Sequence, residues 1–198
     1  MIEHQGITRI SAIILAAGSS TRMGLTNKLL LPISGTPMIE CVIRAAVEQD
    51  FEKVIVVTGY DASGVQKVLA PFPVQIVYNS LYDTGMGSSL VAGIEADLES
   101  DVRSDAYLIW PGDMPFIRRK TIQLICSMFD PESIIVPTFD SHRGHPVLFA
   151  ARFREALLNI PSDKGARTIL KNNSDSVLEC PVEDAAILRD VDTPEDLY

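Results

Sequence analysis

Ile10-Ser11-Ala12-Ile13-Ile14-Leu15 runs without a break into Ala16-Ala17-Gly18-Ser19-Ser20-Thr21-Arg22-Met23-Gly24, and Lys28 follows four residues later. The first half is near-continuously apolar, as a strand buried on both faces must be. The second half is a turn of small residues. Successive backbone N–H groups in such a turn form an anion-binding concavity, and Gly18 and Gly24 permit close ligand approach. Arg22 can grip phosphate bidentately, while Lys28 adds a mobile point charge. The bland alternative is an ordinary βα loop. Two phosphate patterns are excluded. Thr26 and Asn27 precede Lys28 and Leu29 follows it, so the P-loop spacing is absent, and no Gly-x-Gly-x-x-Gly marks a dinucleotide site.

Working outward, the same strand pattern recurs at 54–58, 74–78, 107–110 and 134–136. Amphipathic stretches lie between. Thr36-Pro37 reads as an N-cap followed by proline at the first helical position, and Ile39, Val42, Ile43, Ala46 and Val47 trace one helical face. Leu90, Ile94 and Leu98 do the same further on, as do Ile122, Ile125, Cys126 and Phe129. This rhythm predicts an α/β fold, a Rossmann-like three-layer α/β/α arrangement with a mostly parallel sheet. Right-handed crossovers bring the loops after the strands to one edge, where ligands bind. After residue 135 the rhythm weakens, and 143–149 reads as an antiparallel insertion able to receive a second substrate.

At 198 residues one domain is expected. The formal net charge of −9 argues against nucleic acid or an anionic membrane surface as partner. No apolar run reaches bilayer length, and the first nine residues do not read as a signal peptide. Cys41, Cys126 and Cys180 form no Cys-x-x-Cys pair and no Cys/His cluster, which speaks against zinc or disulfides and suits a reducing cytoplasm.

Four further segments carry chemistry. Asp113, in Trp110-Pro111-Gly112-Asp113-Met114-Pro115, falls beyond a strand end. It either caps a helix from Ile117 or ligates a metal. In Arg189-Asp190-Val191-Asp192-Thr193-Pro194-Glu195-Asp196, Thr193 and Pro194 read as a helix start, which leaves Asp190 and Asp192 unexplained. Their alternation puts both carboxylates on one face of an extended chain. Gly87, Ser88 and Ser89 open a helix near Ser88, either as a simple serine cap or as N–H groups offered to a ligand. Gly144 and Pro146 rigidify His145, whereas His142 is taken as structural. Lys164 and Arg167, at i and i+3, share a face if helical; plain surface solvation is the alternative.

The composite Leu-Ala-Ala-Gly-x-Ser-x-Arg-Met-Gly with a following lysine resembles the signature of nucleotidyltransferases related to molybdenum cofactor biosynthesis. Gly112-Asp113-Met114-Pro115 resembles their metal motif, and Asp190 to Asp196 matches their C-terminal pattern. Gly144-His145-Pro146-Val147 and Asp163-Lys164-Gly165-Ala166-Arg167 are similar to the cytidylyltransferase-like branch. Guanylyl-transferring relatives usually carry Gly-Gly at Ala17-Gly18, which leans toward CTP.

This resemblance implies a glycosyltransferase-A (nucleotide-diphospho-sugar transferase) type of fold over 1–198, with 10–135 binding nucleotide and 136–198 binding acceptor. It implies transfer of CMP from CTP to the phosphate of molybdenum-bound molybdopterin, with Mg²⁺ and release of pyrophosphate. Arg22 would hold the β,γ-phosphates and Lys28 the α-phosphate. Leu15, Ala16, Ala17, Gly18, Ser19 and Ser20, with Gly87, Ser88 and Ser89, would line the nucleotide. Gly144, His145, Lys164 and Arg167 would meet the acceptor, and Asp113 with Asp190 would hold the metal while Asp192 fixes the loop. Transient contact with a molybdoenzyme or its insertion chaperone is implied as well. The alternatives are a guanylyltransferase of the same pathway, a sugar-1-phosphate nucleotidyltransferase and a non-enzymatic cofactor-insertion module.

Overall fold

The computed structural model describes residues 8–19 and 27–192. Ser20, Arg22, Gly24 and the expected helix start at Thr193-Pro194 lie outside the described residues. In chain order the strands are β1 (Ile10–Ala16), β2 (Pro32–Ile33), β3 (Thr36–Pro37), β4 (Lys53–Thr58), β5 (Gln75–Tyr78), β6 (Ala106–Pro111), β7 (Ile134–Phe139), β8 (His142–Arg143), β9 (Val147–Ala150) and β10 (Val177–Pro181). The helices are α1 (Met38–Val47), α2 (Ala62–Leu69), α3 (Met86–Leu98), α4 (Arg119–Ser127), α5 (Arg154–Leu158) and α6 (Arg167–Asn172).

The main sheet runs β5-β4-β1-β6-β9-β7-β10, with β8 paired to β7. Every neighbouring pair along that path is parallel except those of β9, which is antiparallel to β6 and β7. The expected insertion is therefore an integral part of the sheet, wedged between two strands that share its opposite direction. Strands from both the 10–135 and the 136–198 portions share one sheet.

Alternate residues of β1 feed two core layers, as its pleat requires. Ile10, Ala12, Ile14 and Ala16 join Ile39, Val42, Val65 and Ile122, so α1, α2 and α4 cover that face. Ile13 joins Leu90, Ile94, Leu157 and Ile169, so α3, α5 and α6 cover the other. The result is the three-layer α/β/α arrangement. No helix of the described residues is long and apolar enough to cross a membrane.

Several local expectations shift. Thr36-Pro37 is not a helix start but β3, paired with β2 across Ser34 and Gly35, both at positive φ. Such φ values are what a two-residue hairpin turn demands. Helix α1 begins one residue later, and Pro37 makes no side-chain cap. Ser88 does not cap α3, which starts at Met86 behind Gly85. Helix α4 starts at Arg119 rather than near Ile117, and Asp113 does not cap it. The capping carboxylate comes from Asp184, which accepts from Arg118 N–H at 2.9 Å and Thr121 Oγ1 at 2.7 Å.

At the edge of the sheet where β1 begins, a buried polar knot ties β1, β4, α3 and the loop before β6. Asp97 Oδ1 accepts from Lys53 Nζ at 2.8 Å, Ser104 Oγ at 2.8 Å and Ser11 Oγ at 3.1 Å. Burial alone would push this carboxyl up, but the bonds from Lys53, Ser104 and Ser11 outweigh it and hold Asp97 below its ordinary value.

Candidate active site

Register sets the site. Leu15 lies beside Val57 and Pro111, so the loops after β1, β4 and β6 leave the sheet at one edge. Gly112 N–H donates to Leu15 O at 2.9 Å, which draws the Asp113 loop against the end of β1. Beyond the first loop, Asn27 is buried and its Oδ1 accepts from Leu29 N–H at 3.1 Å, starting a 3-10 turn at Lys28–Leu30. Leu29 is anchored in the core, and Lys28 is aimed across the sheet edge.

Lys28 Nζ donates to Asp113 Oδ2 at 2.8 Å and to Asp192 Oδ1 at 2.7 Å. Burial alone would lower the ammonium pKa; Asp113 and then Asp192 outweigh it and raise the value, so Lys28 is charged at neutral pH. Asp190 completes the group: one carboxylate oxygen from each of Asp113, Asp190 and Asp192 lies within 4.8 Å of the others. Val191 N–H donates to Asp113 O at 2.9 Å and locks the two loops together. Three carboxylates so close repel unless a cation neutralises them. An all-oxygen donor set suits a hard divalent ion such as Mg²⁺ or Mn²⁺, so these residues fit a metal.

The carboxylates stand in the wall of a cavity of about 1370 Å³. Leu15, Ala17, Gly18 and Ser19 line it, with Tyr82, Met86 and Ser89. Ala16, Gly87 and Ser88 do not line it. Gly87 sits against the 161–164 loop, where an added Cβ would fall 2.2 Å from Pro161 O. Ser88 Oγ donates to Leu81 O and Gly85 O, both at 2.8 Å. Asn79, which sequence reasoning missed, donates to Ser88 Oγ at 2.9 Å and Ser89 Oγ at 3.0 Å and so sets the start of α3.

Gly144 and His145 also line the cavity. An added Cβ at Gly144 would lie 2.3 Å from Ile187 O, so only glycine lets the β8–β9 link pass this close. His145 N–H donates to that same carbonyl at 2.9 Å. Burial pushes the imidazole pKa down, Asp113 and Asp190 pull it up, and Arg167 pushes it down; the net shift is downward, so the ring is neutral at pH 7. Its buried Nδ1 has no hydrogen-bond partner among the described residues. Arg167 opens α6 and lines the cavity, but Lys164 lies in the preceding loop and does not. The expected shared face instead joins Arg167 to Lys171, one turn further along α6. The i, i+4 spacing of that pair is visible in the sequence.

Two curated relatives match nearly end to end. Nicotine blue oxidoreductase of Paenarthrobacter nicotinovorans is 28% identical over 96% of this chain and 95% of its own length. The molybdenum cofactor cytidylyltransferase of Escherichia coli is 28% identical over 96% of this chain and 94% of its own length. Among solved structures, Rv0371C of Mycobacterium tuberculosis in complex with manganese superposes with a TM-score of 0.81 at 26% identity, covering 96% of both chains. The family model for the MobA-like NTP transferase domain matches residues 12–177, and on that match the chain belongs to the MobA-like NTP transferase domain family.

Proposed function

We propose that this chain transfers CMP from CTP to the phosphate of a molybdenum–molybdopterin acceptor, with a divalent cation, Mg²⁺ by preference, and release of pyrophosphate. The observation that carries this reading is the convergence of Lys28, Asp113, Asp190 and Asp192 in the wall of a cavity of about 1370 Å³. Single-ligand pockets run to about 300–1,000 Å³, so this one has room for two substrates. The E. coli cytidylyltransferase relative supports the choice of base and acceptor.

In this account Asp113, Asp190 and Asp192 all hold the cation. Bound there, it neutralises charge on phosphoryl oxygens. Lys28 leaves its carboxylates for the α-phosphate, and Arg22 takes the β,γ-phosphates. Leu15, Ala17, Gly18 and Ser19 wrap the nucleotide, with buried Ala16 backing them; we assign Ser20 to the nucleotide as well, and Ser89 meets it with Gly87 and Ser88 shaping that wall. His145, Gly144 and Arg167 receive the acceptor; we assign Lys164 a role at its outer rim. A phosphate monoester has a second pKa of about 6, so the attacking group is ionised without a general base. Neutral His145 then serves as a hydrogen-bonding wall. Catalysis is positioning and charge neutralisation. We assign the nucleotide to the 10–135 portion and the acceptor to the 136–198 portion. Three free thiols, Cys180 buried and Cys41 and Cys126 half-buried, fit a reducing cytoplasm, and product handover to a molybdoenzyme or its chaperone completes the reading.

The test is pyrophosphate release with CTP, GTP, ATP and UTP against molybdenum–molybdopterin and sugar-1-phosphates. CTP with the pterin acceptor should give the highest rate. Preference for GTP would make it a guanylyltransferase, and a sugar-phosphate preference would overturn the acceptor. Nucleotide binding without pyrophosphate release, with any acceptor, would favour a cofactor-insertion module.

A further inference from the structure

Asp190, Asp192 and Asp113 all sit on loops outside the sheet, yet their carboxylates converge. Something must hold those loops in register. Val191 N–H ties to Asp113 O at the centre, and Arg189 stacks its guanidinium 4.5 Å from the Phe116 ring. The outer tie is Asp184. It lies six residues before Asp190 and accepts from Arg118, five residues after Asp113.

We propose that Asp184 is a positioning residue that fixes the geometry of the metal-binding carboxylates. This inference rests on the metal-site reading given above.

Asp184 is 3% exposed and does not line the cavity, so it touches neither substrate nor metal. Its Oδ2 accepts from Arg118 N–H at 2.9 Å and Thr121 Oγ1 at 2.7 Å. Its Oδ1 accepts from Ala186 N–H at 3.3 Å and so starts the 3-10 turn at Ala185–Leu188. One carboxylate thus closes the first turn of α4 and launches the segment that carries Asp190 and Asp192. A helix needs no such distant partner, because Ser, Thr or Asp at the N-cap itself does the job locally. Here the N-cap is Arg118, whose side chain makes no capping bond and instead lies 3.8 Å from Asp184, and the donors are met from 66 and 63 residues away. The turn that follows also places Ile187 O to accept from His145 N–H at 2.9 Å. Loss of Asp184 frees both loops at their outer ends and leaves the Val191–Asp113 bond, the Arg189–Phe116 stack and the Lys28 bridge to hold the carboxylates together.

The experiment measures Mn²⁺ affinity of the full chain by EPR titration, without nucleotide, beside a melting curve for each variant. Asp184→Ala should bind Mn²⁺ about tenfold more weakly, the lower end of what losing a supporting contact costs a metal site. Asp184→Asn, whose single amide oxygen can keep the bonds from Arg118 and Thr121 but cannot also accept from Ala186 N–H, should fall between the parent and Asp184→Ala. Thr121→Val, which removes only the hydroxyl bond, should lose about threefold; it decides the matter if Asp184→Ala does not fold. Asp113→Ala is the reference and should lose binding. A folded Asp184→Ala or Thr121→Val that binds Mn²⁺ like the parent, while Asp113→Ala does not, overturns the positioning role alone. Unchanged binding by Asp113→Ala overturns the metal-site reading beneath it.

Discussion

Replacing Lys28 by methionine keeps the aliphatic stem and deletes the ammonium between Asp113 and Asp192. Side-chain exposure is 14% for Lys28, 24% for Asp113 and 38% for Asp192, so the two bonds differ in value. The more buried Asp113 bond is charge-assisted and worth about 1.5–3 kcal/mol. The Asp192 bond, more open to water, is worth about 0.2–1 kcal/mol. Together they come to about 3 kcal/mol. For a chain of this size each kcal/mol moves the melting temperature by about 2–4 °C. Lys28→Met should therefore melt about 6–12 °C lower in a chelating buffer. The deficit should shrink when Mn²⁺ is added, because a divalent ion takes over the charge that Lys28 balanced. In the parent protein the ion must first displace the ammonium, so its melting temperature should respond less. Differential scanning calorimetry with and without Mn²⁺ gives both numbers. A variant that melts within about 2 °C of the parent in chelator, or responds to Mn²⁺ no more than the parent does, would refute the reasoning.

The Asp97 knot makes a separate prediction, since Asp97 is fully buried and Lys53 is 14% exposed. Asp97→Ala should cost roughly 3–5 kcal/mol at pH 7 in urea unfolding, the usual result of orphaning a buried charge. A carboxyl held below its unfolded value stabilises above about pH 3.9 and loses that contribution as pH falls through the lower folded value. The gap between parent and variant should therefore narrow near pH 3; a constant gap would contradict the assignment. Burial raises all three thiol pKa values, that of Cys126 to about 12. Iodoacetamide should thus label the native chain at pH 7.5 far more slowly than the urea-unfolded chain, and rapid native labelling would be the contrary result.

The layers of the fold were legible because strands buried on both faces must be apolar throughout, as in β1, β4, β6 and β7. The helical faces of α1 and α4 were readable for the same reason. What escaped was set by partners remote in sequence. The cap of α4 comes from Asp184, and no spacing rule links it to Arg118. Ser88 looked like a cap because local rules favour serine there, but Gly85 and the Asn79 side chain organise that turn instead. Lys164 and Arg167 had helical spacing, yet α6 begins only at Arg167, so the pair falls on a loop and a helix. In the site, the motif resemblance already pairs Asp113 with Asp190 at a metal and gives Lys28 to the α-phosphate. Their convergence with Asp192 depends on the register of β1 and β6 and on the bond from Val191 to Asp113, which no linear motif records.

The most direct test follows the α-phosphate of labelled CTP into the pterin acceptor, for the parent chain and for Asp113→Ala. The account predicts one labelled dinucleotide per pyrophosphate released by the parent, and a rate lower by at least about 10²-fold in the variant, as when a charge-stabilising group is removed from a transfer site. A parent chain that transfers no label, or an Asp113→Ala chain that transfers it at the parental rate, would contradict the account.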